Sequence, residues 1–194
     1  ECRPAEERDL DDMEVILTQA KALLVPIGQW NESYPAREDF LDDMARGECY
    51  VLTCAGAVGG FFTLATRPEA GYAAITDGKW SADEPYAVIH RCAVAEQWRG
   101  SGLADHMIGE CERLALSLGL GWLRVDTHKK NKAMQGLIRR HGFQYRLGVS
   151  HKLALKRLQT LGTAVCRARY GHVWVGIAVT DSGDTDRIDI RRQH

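Results

Sequence analysis

The segment Gln97-Trp98-Arg99-Gly100-Ser101-Gly102 follows a run of strand-forming residues, 86–94, and opens an amphipathic stretch. A helix start exposes unpaired N–H groups and the positive end of the helix dipole, which together attract an anion. Glycines ahead of such a start let the backbone approach a phosphate where a Cβ would intrude. Arg99 adds a full positive charge beside them. The stretch therefore suits the cradling of a pyrophosphate, while a plain tight turn accounts for the same two glycines. It is not a P-loop, which needs G-x-x-x-x-G-K-[ST]. Nor is it the dinucleotide G-x-G-x-x-G, because Asp105 occupies the third glycine position.

The elements that would position this turn follow from periodicity. Residues 7–24 carry Leu10, Met13, Ile16, Leu17, Ala20, Leu23 and Leu24 at helical spacing, with acidic residues in the first turns. A second helix is predicted over 36–46 with Phe40, Leu41 and Met44 inward. Residues 49–66 read as two strands joined near Ala55–Gly56. An acidic loop at 67–84 leads to a strand at 85–94. A helix at 102–118 has Leu103, Met107, Cys111, Leu114 and Leu118 on one stripe. A strand at 121–127, a helix at 130–141 closed by Gly142, and a strand at 143–149 follow. With a short first strand at 1–5, the pattern predicts an α/β fold: a mixed sheet covered by helices, with a parallel, right-handed strand–helix–strand unit at 85–127. Beyond it, LALKRLQTL reads as a helix, TAVCRARY and VWVGIAVT as a hairpin around Gly171, and 181–194 as a polar end. Residues 1–150 are expected to form one domain and 151–194 a further segment, either a divergent last hairpin or an appendage.

Composition narrows the function classes. The chain has 194 residues, 45% hydrophobic and 26% charged, ample for a core without staples. A net charge of -1 gives no global argument for nucleic acid or an anionic membrane as partner. The charge is segregated: residues 1–143 hold 16 Lys+Arg against 22 Asp+Glu, and residues 144–194 hold 9 against 4. The six cysteines show no C-x-x-C spacing and no zinc-like cluster with His, so no metal is expected. They read as reduced thiols of a cytoplasmic protein, and no apolar run reaches the length of a membrane span.

Gln97-x-x-Gly100-x-Gly102 fits the Q/R-x-x-G-x-G/A signature of the GNAT acetyltransferases. Around it, residues 90–108 resemble that family's fourth strand, turn and helix. Residues 123–143 resemble its fifth strand and following helix, ending in the usual Gly-Phe. The loop 29–35 resembles the substrate-side loop of a bacterial GNAT branch that also carries His-Arg and Asp-Thr-His. The resemblance spans residues 2–149. It implies a mostly antiparallel sheet with a parallel β-α-β cofactor unit, and acetyl-CoA as the cosubstrate. It implies that backbone groups of Cys92 and Val94 bind the pantetheine arm like an added strand. The turn residues Gln97, Arg99, Gly100, Ser101, Gly102, Leu103 and Ala104 would hold the pyrophosphate, and Asn131 would reach the pantetheine. An amine would attack the thioester directly, with the Val94 N–H polarising its carbonyl.

The pattern is incomplete. Ile138 stands where the family often has a Tyr acid. Candidates for the base are His90, Asp126 and His128, with imidazole suited to accepting a proton near neutral pH. Asp126, His128 and Arg124 share one strand face, where Arg124 and Asp126 form a structural ion pair or line a cleft. Alternation puts His90 with Cys92 and Val94, and Arg91 on the other face. Arg91 either lines the acceptor cleft, ready for an acceptor carboxylate, or pairs with an acid of the body. Trp30 and Tyr34 either wall an acceptor pocket or anchor their own loop. The expected function is an acetyl-CoA-dependent N-acetyltransferase for the primary amine of a small molecule, with a peptide N-terminus as a less favoured acceptor. The alternatives are a CoA-binding regulatory module of weak activity and an unrelated phosphate-binding domain. A homodimer is compatible with the family, although no interface stripe stands out.

Overall fold

The computed structural model describes residues 1–67, 85–146, 153–157 and 175–180. Strand β1 (Cys2–Pro4) leads through a short turn into helix α1 (Leu10–Leu24), and α2 (Arg37–Ala45) follows. Then come β2 (Cys49–Cys54), β3 (Ala57–Ala65), β4 (Tyr86–Val94), helix α3 (Leu103–Ser117), β5 (Trp122–His128) and helix α4 (Lys132–Arg140). Strands β6 (Gln144–Arg146), β7 (Leu153–Arg157) and β8 (Val175–Thr180) complete the described chain.

One sheet runs β1-β2-β3-β4-β5-β8-β7-β6. The first four strands are antiparallel neighbours, and β4 and β5 are parallel, as expected of a strand–helix–strand unit. The β2–β3 hairpin turns on Ala55 and Gly56, both at positive φ, the geometry that matches the twist of the flanking strands. β7 lies antiparallel to β5, so Leu153–Arg157 is a strand and not the predicted helix. The ladder along β5 overrides the helical spacing of its leucines. Residues 68–84 of the loop predicted at 67–84, the second half of the strand at 143–149, TAVCRARY and the polar end lie outside the described residues.

Helices cover both faces. Met107, Ile108, Cys111, Leu137 and Ile138 from α3 and α4 pack on Phe62, Ile89, Leu123 and Val125. Leu10, Met13, Ile16 and Phe40 from α1 and α2 pack on Val51, Phe61 and Ala93 of the other face. Phe40 and Phe61 meet edge-to-face at 4.9 Å. Three predicted inward positions are exposed: Leu23, Leu41 and Leu118. Leu23 falls in the last turn of α1, and Leu118 is the C-cap just past α3. In α2 the inward position beside Phe40 belongs to Asp43, which is fully buried.

Glycines fix two close approaches. Gly142 adopts positive φ after α4, and the Phe143 N–H closes on the Ile138 carbonyl at 3.0 Å, a helix stop of Schellman type. A Cβ at Gly60 of β3 would stand 2.8 Å from the Ala93 carbonyl oxygen and 3.2 Å from Met107 Cε. Only glycine lets β3, β4 and α3 meet there.

Candidate active site

The β4–β5 ladder ends at Ile89↔Val125, while β4 continues to Val94. The separation coincides with a bulge. Along β3, Phe61 pairs with Ala93 and Thr63 with His90, so two steps on β3 match three on β4. Arg91 absorbs the extra residue with φ +43, a left-handed conformation uncommon for a non-glycine residue. The bulge also shifts the phase of the strand. Ala87 and Ile89 pack toward α3 and α4, and so do Cys92 and Val94. His90 and Arg91 therefore both reach the α1/α2 face, which corrects the simple alternation expected from sequence.

Beyond the bulge, Ala95 donates its N–H to Gly59 of β3 at 2.9 Å. By strand alternation, the N–H and C=O of Val94 point to the opposite edge, toward β5. Among the described residues that edge carries no β5 ladder after Ile89. It runs directly into the glycine turn.

In that turn Gly100 has φ +78 and Gly102 φ +88, and a Cβ at either would meet open space. The Ser101 hydroxyl donates to the Trp98 carbonyl at 2.6 Å, and the Leu103 side chain is buried in the core. Among the described residues, the N–H groups of Gly100, Gly102, Ala104 and Asp105 take no backbone acceptor. Four donors without a backbone acceptor among the described residues, the start of a 15-residue helix and an uncrowded backbone are an arrangement suited to an anion. Gln97 and Arg99 are exposed beside it. Arg99 donates to the Gln19 carbonyl at 3.3 Å, and Gln19 Oε1 accepts the Glu96 N–H at 2.8 Å. Gln19, a residue the sequence did not single out, thus anchors the turn to α1.

On the opposite face, His90 Nδ1 lies 3.7 Å from Asp126 Oδ1. His128 is two residues further along β5, and its Nδ1 accepts the Lys130 N–H at 3.2 Å. Arg124 is buried with its guanidinium 3.4 Å from the centre of the Tyr86 ring. Arg91 is committed inward: Nε and Nη2 donate to Asp43 at 2.8 and 2.7 Å, and Nη1 donates to the Tyr34 hydroxyl at 2.8 Å. Arg91 thus pairs with an acid of the body, Asp43, while also reaching Tyr34. Burial raises the Tyr34 phenol above its ordinary value, against the pull of Arg91, so it stays protonated at neutral pH. Trp30 packs against the α1/α2 core. Burial, with the charge of Asp126, pushes the Cys92 thiol up to about 11.

Asn131 caps α4: its Oδ1 accepts the Met134 N–H at 3.0 Å and its Nδ2 donates to Gln29 Oε1 at 2.8 Å. Gln29 also receives the His128 N–H at 3.4 Å, so it fastens the α1–α2 loop to the end of β5. Sequence placed Gln29 in the loop 29–35 but gave no signal for this role, because it depends on a partner about a hundred residues away. Asp43 did leave one: a carboxylate three residues after Phe40, on an apolar helix stripe. Ile138 is fully buried in the core, so α4 offers no phenol there.

A parallel strand pair opening beside a glycine turn is the architecture of acyl-CoA N-acyltransferases. The profile of the acetyltransferase (GNAT) family matches residues 17–143, and the chain belongs to that family. It is similar to a GNAT acetyltransferase from Streptococcus agalactiae, with 30% identity, coverage of 75% of this chain and 85% of the other, and a TM-score of 0.67. A candidate acetyltransferase from Staphylococcus aureus has 25% identity, coverage of 81% and 99%, and a TM-score of 0.66. The fold is also shared with yncA, a candidate acetyltransferase from Salmonella typhimurium solved with its cofactor acetyl-CoA, at 15% identity, coverage of 86% and 98%, and a TM-score of 0.61. Among curated proteins none matches the sequence significantly. Among the described residues, no helix is long and apolar enough to cross a membrane.

Proposed function

We propose that this acetyltransferase moves the acetyl group of acetyl-CoA to the primary amine of a small molecule, with residues 1–150 as its catalytic unit. The observation that carries the reading is the continuous path from the open edge of β4 into the glycine turn. Acetyl-CoA supplies an activated thioester. The Cys92 and Val94 backbone would take the pantetheine arm as an added strand, and the N–H groups of residues 99–104 would take the pyrophosphate. The open space at Gly100 and Gly102, which any Cβ would begin to fill, supports that fit. Asn131 would approach the arm from the start of α4, and the Val94 N–H would polarise the thioester carbonyl.

The acceptor would enter from the α1/α2 face, where Tyr34, His90 and Asp126 gather and Trp30 backs the loop. An ammonium cannot attack, so a base must hold the amine proton. His90 is the leading candidate, with Asp126 Oδ1 3.7 Å from its Nδ1 to orient the ring; His128 is the alternative on the same face. Cys92 remains a thiol and does not compete as a nucleophile. The buried Ile138 favours a second reading, a CoA-binding module with weak turnover, because it removes the usual acid from α4.

Calorimetric titration with acetyl-CoA tests the cofactor site. Wild-type protein is expected to bind, and Gly100→Glu, which sets a side chain and a negative charge in the cradle, is expected to abolish binding while staying folded. Absence of binding by folded wild-type protein would sink the reading. Release of free thiol on adding amines then separates an enzyme from a binding module.

A further inference from the structure

We propose that Asp43 is a positioning residue for acyl transfer, holding Arg91 in the left-handed bulge that opens the β4 edge. The inference rests on the cofactor reading above. Its observation is a fully buried carboxylate at the crossing of the two half-sites. Asp43 Oδ1 and Oδ2 receive Arg91 Nη2 and Nε at 2.7 and 2.8 Å, a bidentate pair. Oδ2 also accepts the Thr63 hydroxyl at 2.6 Å, and Oδ1 accepts Arg46 Nη2 at 2.8 Å. Thr63 is the β3 partner of His90, so Asp43 grips β3 at Thr63, beside the bulge, and β4 at the extra residue itself.

A non-glycine residue persists at positive φ only where its surroundings over-determine it. At Arg91 the surroundings are the Asp43 carboxylate and the Tyr34 hydroxyl. Without Asp43 nothing else described holds the guanidinium in its bidentate geometry, and residue 91 is free to relax toward extended backbone. That relaxation would remove the bulge and return His90 and Arg91 to opposite faces. It would also turn the Val94 N–H away from the slot. The Arg91 Nη1 that fixes Tyr34 ties the acceptor wall to the same carboxylate.

The test uses two ligands, acetyl-CoA and its head group alone, 3′-phosphoadenosine diphosphate, which reaches the glycine turn but not the β4 edge. Asp43→Asn is expected to weaken acetyl-CoA binding by about tenfold or more, as misplacement of a positioning group does, with head-group affinity unchanged. Asp43→Asn combined with Arg91→Gly is expected to regain acetyl-CoA affinity, because glycine adopts the left-handed conformation unaided. A purely structural role predicts no such rescue, since the second change deletes a further buried side chain. If Asp43→Asn fails to fold, Arg91→Lys keeps the charge but loses the fork, and the same split between ligands is expected. A folded variant that binds acetyl-CoA as wild type does overturns the proposal, as does equal loss of both ligands. Wild-type protein that binds neither ligand overturns the cofactor reading and this inference with it.

Discussion

At the scale of single residues, the proposed site sets His90, as base, and the Cys92 thiol on opposite faces of β4. His90 and Asp126 face each other where β4 and β5 begin to part, with His90 Nδ1 3.7 Å from Asp126 Oδ1. Replacement of His90 by Gln keeps a polar side chain but removes the base. It is expected to lower kcat by about a hundredfold or more with acetyl-CoA affinity retained, read by thiol release alongside calorimetry. An unchanged kcat would move the base to His128. Cys92 faces α3 and α4, and burial keeps it protonated, so it presents no thiolate that could attack a thioester. The residue types at His90, Asp126 and the glycine turn were legible in the sequence. The inward commitment of Arg91 was not, because a bulge changes which face each later residue takes and a one-residue insertion in a ladder has no signature in side-chain pattern alone.

At the scale of elements, the functional geometry is a matter of how closely β3, β4 and α3 approach. Among the described glycines Gly60 has the closest approach, and its substitution acts on the strand edge proposed to receive the cofactor. Gly60→Ala is expected to cost about 1–3 kcal/mol through overpacking against the Ala93 carbonyl, measured by urea unfolding, and to weaken acetyl-CoA binding as Val94 shifts. Gly109, a helical position in α3 with open space around an added Cβ, is the contrast. Gly109→Ala is expected to stabilise the protein by about 0.5–1 kcal/mol through helix propensity. A Gly60 variant as stable as wild type would mean that β3 and β4 can part without penalty. The helices α1 to α4 and strands β1 to β6 follow from periods and stop signals within each segment. β7 does not, because LALKRLQTL spaces its leucines as a helix would, and the open flank of β5 decides the outcome.

At the scale of the whole molecule, one sheet carries α3 and α4 on one face, the proposed cofactor side, and α1 and α2 on the other, the proposed acceptor side. Ion pairs tie peripheral elements to this frame. The Arg3 guanidinium holds the Asp9 carboxyl below its ordinary value by a two-point hydrogen bond that fastens β1 to the start of α1. Arg140 and then His141 hold Asp105 low in the same way, joining the end of α4 to the first turn of α3. A carboxyl lowered in the folded state contributes stability above its unfolded value, and the contribution is lost as pH falls through the folded value. Urea unfolding is therefore expected to show stability nearly flat from about pH 7 down to the carboxylate range and then falling steeply toward about pH 3. Arg3→Met should flatten the acid limb, since Asp9 then titrates nearer its unfolded value. A variant with the wild-type acid limb would place the acid sensitivity elsewhere.

The sequence by itself determined the family, the order of helices and strands up to Phe143, and the glycine turn with its anion-binding logic. Those features live in local spacing: apolar period, stop signals and a Gly-x-Gly at a strand–helix junction. The tertiary structure alone decided that His90 and Arg91 share a face, that Asp43 is buried to receive Arg91, and that Gln29 latches the acceptor loop to β5. Each of these depends on strand register or on a partner distant in the chain, and neither register nor distant pairing is written into the periodicity of a single segment.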